Sequence, residues 1–200
     1  MITKKAKTLV DVHRIIAHRW SARAFDITKP VTREQILSLC EAGRWAPSCY
    51  GDEPWRFIIW DKNHNKDDYN KAFNCLGEWN QRWVKNAPVI LAAFSDDKFR
   101  KNSEPNRWAQ YDTGAASENI CLQAVALGLI AHQMGGFDEE KLKATFNIPS
   151  NFRAMAMIAV GYQTHEETLE EQFRTLEIAE RFRRPLGSTF FDSQWEKPII

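Results

Sequence analysis

The sequence predicts an α+β fold, a central sheet flanked by helices, and three observations lead there. "PVILAAFSD" at 88–96 is a continuous apolar run of strand length, suited to burial on both faces. "WRFIIWD" at 55–61 and "AMAMIAVGY" at 154–162 are short runs rich in aromatic, β-branched or apolar residues. Stretches with helical apolar spacing lie between them, the pattern of helices packed on a sheet. No repeat, low-complexity tract or linker interrupts the chain, so residues 1–200 are expected to form one domain.

In chain order, residues 8–18 read as a helix with Leu9, Val12, Ile15 and Ile16 on one stripe. Thr32 followed by Gln35 is a capping box, because hydroxyl and amide can each satisfy an N–H left free at a helix start. The helix that follows turns Ile36, Leu39, Cys40 and Gly43 inward and ends before Pro47, which disfavours helical geometry in the residue preceding it. Residues 63–86 read as helical pieces. The longest helix is expected over 104–129, where Gly114, Ala115, Ala116 and Ser117 would let another helix come close. "IAHQM" is a short strand, "GGFD" a turn, and Asp138 caps a helix over 139–146. Residues 188–200 carry Phe190, Phe191, Trp195, Ile199 and Ile200 on no helical period. The core is already supplied with strands and helices, so this apolar tail is expected to lie as an arm across a partner subunit.

Composition excludes several classes of function. With 27 basic and 26 acidic residues the net charge is +1, which gives no general attraction to nucleic acid or anionic membrane. No stretch reaches the roughly 18 apolar residues of a membrane span. The first twenty residues lack the apolar segment of a secretory leader. Cys40, Cys49, Cys75 and Cys121 show no CxxC spacing, so neither a disulfide framework nor a zinc site is expected, and they read as reduced thiols of a cytoplasmic protein. Cys49 has no His or Asn partner at recognisable spacing to make it a nucleophile. His132 has no second ligand at metal spacing and reads as a core histidine. There is no GxGxxG after a strand and no phosphate-binding P-loop.

Four stretches point to chemistry. "HRWSARAF" sets Arg19 and Arg23 on either side of Ser21, and guanidinium forks match phosphate oxygens, although an isolated RxxxR is ordinarily a solvated helix end. "RWAPSCYGDEPWRF" at 44–57 is a rigid irregular loop whose backbone groups can face a flat polar ligand. In "HQMGGFD", Gly135 and Gly136 let the backbone approach a ligand closely. "ERFRRPLG" holds Arg181, Arg183 and Arg184, the densest cationic cluster in the chain. Taken in this order, with "APVI" and "YDTGAASENICLQAVALGL" between them, these stretches resemble the nitroreductase family of flavoproteins over residues 10–187.

The resemblance implies a nitroreductase-like fold with a mainly antiparallel sheet, in an intertwined homodimer that binds FMN non-covalently at its interface. It implies an oxidoreductase that takes electrons from NADH or NADPH and passes them to a small electron-poor acceptor, such as a nitroaromatic or a quinone, in a ping-pong cycle. By position, Arg19, Trp20, Ser21 and Arg23 match the family's FMN-binding motif. Arg19 and Ser21 would hold the ribityl phosphate, and Arg23 would sit by the N1/O2 edge of the ring, where a cation favours the anionic reduced flavin. Arg181 and Arg183 match the pair that closes on the phosphate. Pro47, Ser48, Cys49 and Gly51 match the loop that the second subunit lays on the ring. Family members often carry Asn where this chain has Gly51 and Gln where it has Glu53, and lacking the Asn side chain removes one hydrogen bond of about 0.5–1.5 kcal/mol. Gly135 and Gly136 would offer N–H groups to N5 and O4, and Asn80 and Arg82 would reach the pyrimidine edge. Trp79, Trp83, Phe99 and Trp108 are candidates for lining the acceptor pocket. No side chain is expected to act as acid or base, since the cofactor carries the chemistry, and no metal is expected. Dehalogenation or flavin breakdown on the same fold would call for lid segments that 200 residues leave little room for. The intact ring loops argue against a non-enzymatic flavin carrier.

Overall fold

A computed structural model describes residues 2–200. Its centre is strand β2 (Val89–Asp96), buried from Val89 through Ser95. Successive side chains of a strand point to opposite faces, so this run supplies two cores at once. Ile90, Ala92 and Phe94 face one core, and Val89 and Leu91 face the other. Strand β4 (Phe152–Gly161) repeats the pattern, with Met157 and Ala159 on the first face and Ile158 and Val160 on the second. Strands β1 (Trp55–Asp61) and β3 (Ile130–Met134) flank them in the order β1-β2-β4-β3, and every pair is antiparallel.

Helices cover both faces. On the first lie α3 (Lys66–Phe73), α4 (Glu78–Val84), α6 (Glu139–Phe146) and α7 (Glu171–Ile178), which contribute Tyr69, Trp83, Leu142 and Phe173. On the second lie α2 (Arg33–Arg44) and α5 (Ala109–Ala126), which contribute Ile36, Leu39, Ile120, Cys121 and Ala124. In α2 the capping box forms as the sequence predicts: Gln35 N–H donates to Thr32 Oγ1 at 3.2 Å and Thr32 N–H to Gln35 Oε1 at 3.0 Å. Gly43 brings α2 against α5, since a Cβ there would stand 3.1 Å from the Ile120 side chain. Asp138 caps α6 by accepting from Lys141 N–H at 2.9 Å. No helix among the described residues is long and apolar enough to cross a membrane.

Two elements differ from expectation. The first helix, α1, spans only Arg14–His18. His13 Nδ1 accepts from Ile15 N–H at 3.3 Å and starts the helix there, while the preceding chain runs back so that Ala6 N–H reaches Ala17 O at 2.8 Å. Leu9, Val12 and Ile16 are exposed, so the expected stripe does not enter the core. The long helix begins at Ala109 instead of 104, because Asn106 Oδ1 accepts from Trp108 N–H at 3.0 Å, a local turn that competes with helix. It ends at Ala126, just ahead of Gly128 in the left-handed region at φ 73°. The C-terminal tail folds on itself: Asp192 N–H donates to Lys197 O at 2.8 Å and Ile199 N–H to Phe190 O at 3.2 Å. Phe190, Trp195 and Ile200 remain exposed, so the tail does not pack on its own domain.

His132 is a core residue, as the sequence predicts. Its ring lies 4.5 Å from that of Trp83, and Nδ1 is 3.1 Å from Ala22 O. Burial, assisted by the charges of Arg23 and Arg19, pushes its pKa down to about 4. An unfolded chain would protonate this imidazole near its ordinary value, so stability should fall as pH drops from about 6.5 towards 4, by about 3 kcal/mol over the whole window. Urea unfolding at pH 7 and pH 4.5, with an NMR titration of His132, checks this; a His132 midpoint near 6.5 would refute it. Gly161 supplies a second test. A Cβ there would lie 2.6 Å from Pro88 Cδ and 2.9 Å from Phe25 Cδ1, so Gly161→Ala should destabilise by about 1–3 kcal/mol, read from the same urea midpoints.

Candidate functional site

The two ends of the chain meet on the α7 side of the sheet. Arg181, just past α7, donates from Nη1 to Lys4 O at 2.7 Å and to Ala17 O at 3.1 Å. Glu177 of α7 accepts from Arg23 N–H at 2.9 Å and from Ala24 N–H at 3.3 Å. Phe25 bridges to Gln163 beyond β4. These contacts hold the segment 19–25 against the C-terminal arginines.

The result is a concentration of cations with few counter-charges. Arg19 Nε pairs with Glu118 Oε1 of α5 at 3.1 Å. Arg181 meets backbone carbonyls in its two hydrogen bonds, and Arg183 donates to Phe182 O at 2.8 Å. Arg181 is held below the usual guanidinium range, first by burial and then by repulsion from Arg19 and Arg183. Three guanidiniums, of which Arg181 is repelled by both others and only Arg19 has a carboxylate partner among the described residues, form a donor set suited to a phosphate. Trp20 lies buried beside them, under Lys4 Nζ at 4.6 Å from its ring, and Ser21 is half-buried.

Arg23 sits deeper. Its Nε is buried without a hydrogen-bond partner among the described residues, and its Nη1 is 3.9 Å from Glu177 Oε2. Such an orphaned donor fits the polar edge of a flat ligand. The glycine turn is similarly prepared. Gly136 O accepts from Gly77 N–H at 3.0 Å and from Asn80 Nδ2 at 2.9 Å, whereas the N–H groups of Gly135 and Gly136 meet no acceptor among the described residues. A Cβ on Gly136 would stand 2.8 Å from Asn80 Nδ2, so glycine is what allows Asn80 to seat there.

Other expected residues lie elsewhere. Arg82 turns towards α7, where it pairs with Glu170 and lies 5.3 Å over the Phe173 ring. The loop with Pro47, Ser48, Cys49 and Gly51 is tethered to the start of α5, where Cys49 N–H donates to Asp112 Oδ2 at 3.0 Å. Glu53 N–H donates to Ser48 Oγ at 3.1 Å, and Tyr50 and Gly51 take left-handed backbone at φ 55° and 65°. No hydrogen bond or ion pair among the described residues links this loop to Arg19, Arg23, Arg181 or Arg183. Of the acceptor-pocket candidates, Trp83 is ruled out: it is buried in the core between Phe25 and His132. Trp79 and Trp108 are surface residues, and Phe99 meets Tyr50 edge to face at 6.2 Å.

Sequence inspection missed Glu118 and Glu177. Both lie in helices that also carry ordinary polar residues, and no local motif distinguishes them. Burial raises the pKa of each, opposed by Arg19 at Glu118 and by the Arg23 and Ala24 N–H groups at Glu177.

The Nitroreductase family model matches residues 16–78 and 76–162. A 15.4 kDa protein of Mycolicibacterium smegmatis is 36% identical over 93 residues, which span 46% of this chain and 63% of that protein. The oxygen-insensitive NAD(P)H nitroreductase of Salmonella typhimurium is 21% identical over 79% of this chain and 91% of its own. A crystal structure described as an oxidoreductase containing FMN superposes with a TM-score of 0.88 at 31% identity, covering 98% of each chain. The α+β architecture, the order of the motifs along it and these matches agree, and the chain belongs to the nitroreductase family.

Proposed function

We propose that this chain, an NAD(P)H-dependent oxidoreductase by its family, works as a cytoplasmic homodimer that holds FMN and reduces nitroaromatics, quinones or similar electron-poor acceptors. When bound, FMN would supply the redox chemistry, taking hydride from NADH or NADPH and passing electrons to the acceptor in a ping-pong cycle. The observation that carries this function is the cationic cluster, in which only Arg19 has a carboxylate partner among Arg19, Arg181 and Arg183, beside an orphaned buried donor on Arg23.

Each residue then has a task of its own. Arg19, Ser21, Arg181 and Arg183 would bind the phosphate, with Trp20 beside them. Arg23 would face the N1/O2 edge of the ring. The N–H groups of Gly135 and Gly136 would orient N5 and O4, and Asn80 braces that turn through Gly136 O. Arg82 would reach the pyrimidine edge only by leaving Glu170. The loop with Pro47, Ser48, Cys49 and Gly51 stands apart from the arginines of its own chain, which supports the partner's copy as the one that covers the ring. The exposed apolar tail at 188–200 supports an arm that crosses to the same partner. These groups bind, orient and shield; none of them is required to donate or take up a proton.

Purified protein should be yellow, and its flavin bands should bleach on anaerobic addition of NADH or NADPH. A colourless protein that also fails to bind added FMN would refute the function. Arg183→Ala should weaken FMN binding about tenfold or more, as expected for loss of a charge-assisted phosphate contact. Unchanged affinity in a fluorescence titration would remove Arg183 from the phosphate site.

A further inference from the structure

Glu177 has the most buried carboxylate side chain among the described residues in ion pairs, 1% exposed. A carboxylate placed so deep costs desolvation, and its geometry shows what offsets it. Oε1 accepts from Arg23 N–H at 2.9 Å and Ala24 N–H at 3.3 Å, and Oε2 accepts from Arg23 N–H at 3.1 Å. These bonds fix the backbone that carries Arg23. The guanidinium itself is only loosely engaged: Nη1 stands 3.9 Å from Oε2, buried Nε has no hydrogen-bond partner among the described residues, and the Trp83 ring centre lies 5.8 Å away. Two cations face the carboxylate, Arg23 from the segment after α1 and Lys4 from the N-terminal strand of chain, whose Nζ also donates to Leu176 O at 3.3 Å.

We propose that Glu177 is a positioning residue for Arg23: it aims the guanidinium through the backbone, tempers its charge, and so sets the redox potential of bound FMN. The proposal rests on the FMN site described above. An unopposed cation beside the ring would favour the reduced, anionic flavin more strongly than the Glu177–Arg23 pair does. Glu177 therefore holds the potential down, where reduced cofactor passes electrons on more readily.

Glu177→Gln keeps the size and one acceptor but removes the charge. Anaerobic titration of the FMN-loaded protein against a reference dye should show the preference for reduced over oxidised FMN rising about tenfold, which is about 30 mV for a two-electron couple. Arg23→Met, measured at saturating FMN, should move the potential the other way, and Glu177→Gln added to it should produce no further rise. An unchanged or lowered potential in Glu177→Gln overturns the proposal. A rise of the same size in the Arg23→Met background does so too, because Glu177 would then act without Arg23. Should the Gln form not fold, Glu177→Asp replaces it: with the charge kept, the preference should stay within about twofold of wild type, and a larger rise overturns the proposal. Wild-type protein that binds no FMN would defeat the site itself, whereas FMN-binding wild type with an unshifted Glu177→Gln defeats only this inference.

Discussion

The fold depends on one antiparallel pair, β2 with β4, whose residues are apolar on both faces. A strand with one polar face can end a layered structure; this pair cannot, and each face must be covered by something. Ile90, Phe94 and Met157 demand one helical layer, while Leu91, Ile158 and Val160 demand another. The long helix α5 and its neighbour α2 close the second face, at a separation that Gly43 makes short. The first face is closed by shorter helices and by the segment after α1, which contributes Trp20, Ala22, Ala24 and Phe25.

That segment links packing to the candidate site. Because residues 20–25 are drawn into the first core, the arginines on either side of Ser21 stand at its rim beside the C-terminal arginines that follow α7. Polar groups hold the junction: buried Glu177 on the backbone of Arg23 and Ala24, and half-buried Arg181 on the carbonyls of Lys4 and Ala17. Leaving Glu177 unpaired at its depth would be costly, so it specifies one arrangement of the segment it holds. His132, kept neutral beneath the cluster by burial, adds no charge of its own to the cations above it.

Local chemistry was legible wherever the deciding contacts lie within a few residues. The Thr32–Gln35 box and the Asp138 cap form as their spacing predicts, and the strand at 55–61 has the predicted bounds. Boundaries set by more distant or competing bonds were not legible. Asn106 delays α5, and the chain before His13 folds back along α1 instead of extending it. Trp83 has the aromatic character of a pocket residue, yet its ring fills the space between Phe25 and His132.

Residue type and short spacing suffice for the α+β class, the both-face burial of the strand within 88–96, the caps, and the motif order that marks the nitroreductase family. Tertiary packing alone brings Arg19 close enough to repel Arg181 across more than 160 residues, seats Asn80 on Gly136 while Arg82 turns to Glu170, and lays Glu177 beneath Arg23. The physical reason is range. A cap or a strand face is settled by neighbours in the chain, whereas the counter-charge of a buried arginine is settled by which distant helix the packed core brings beside it.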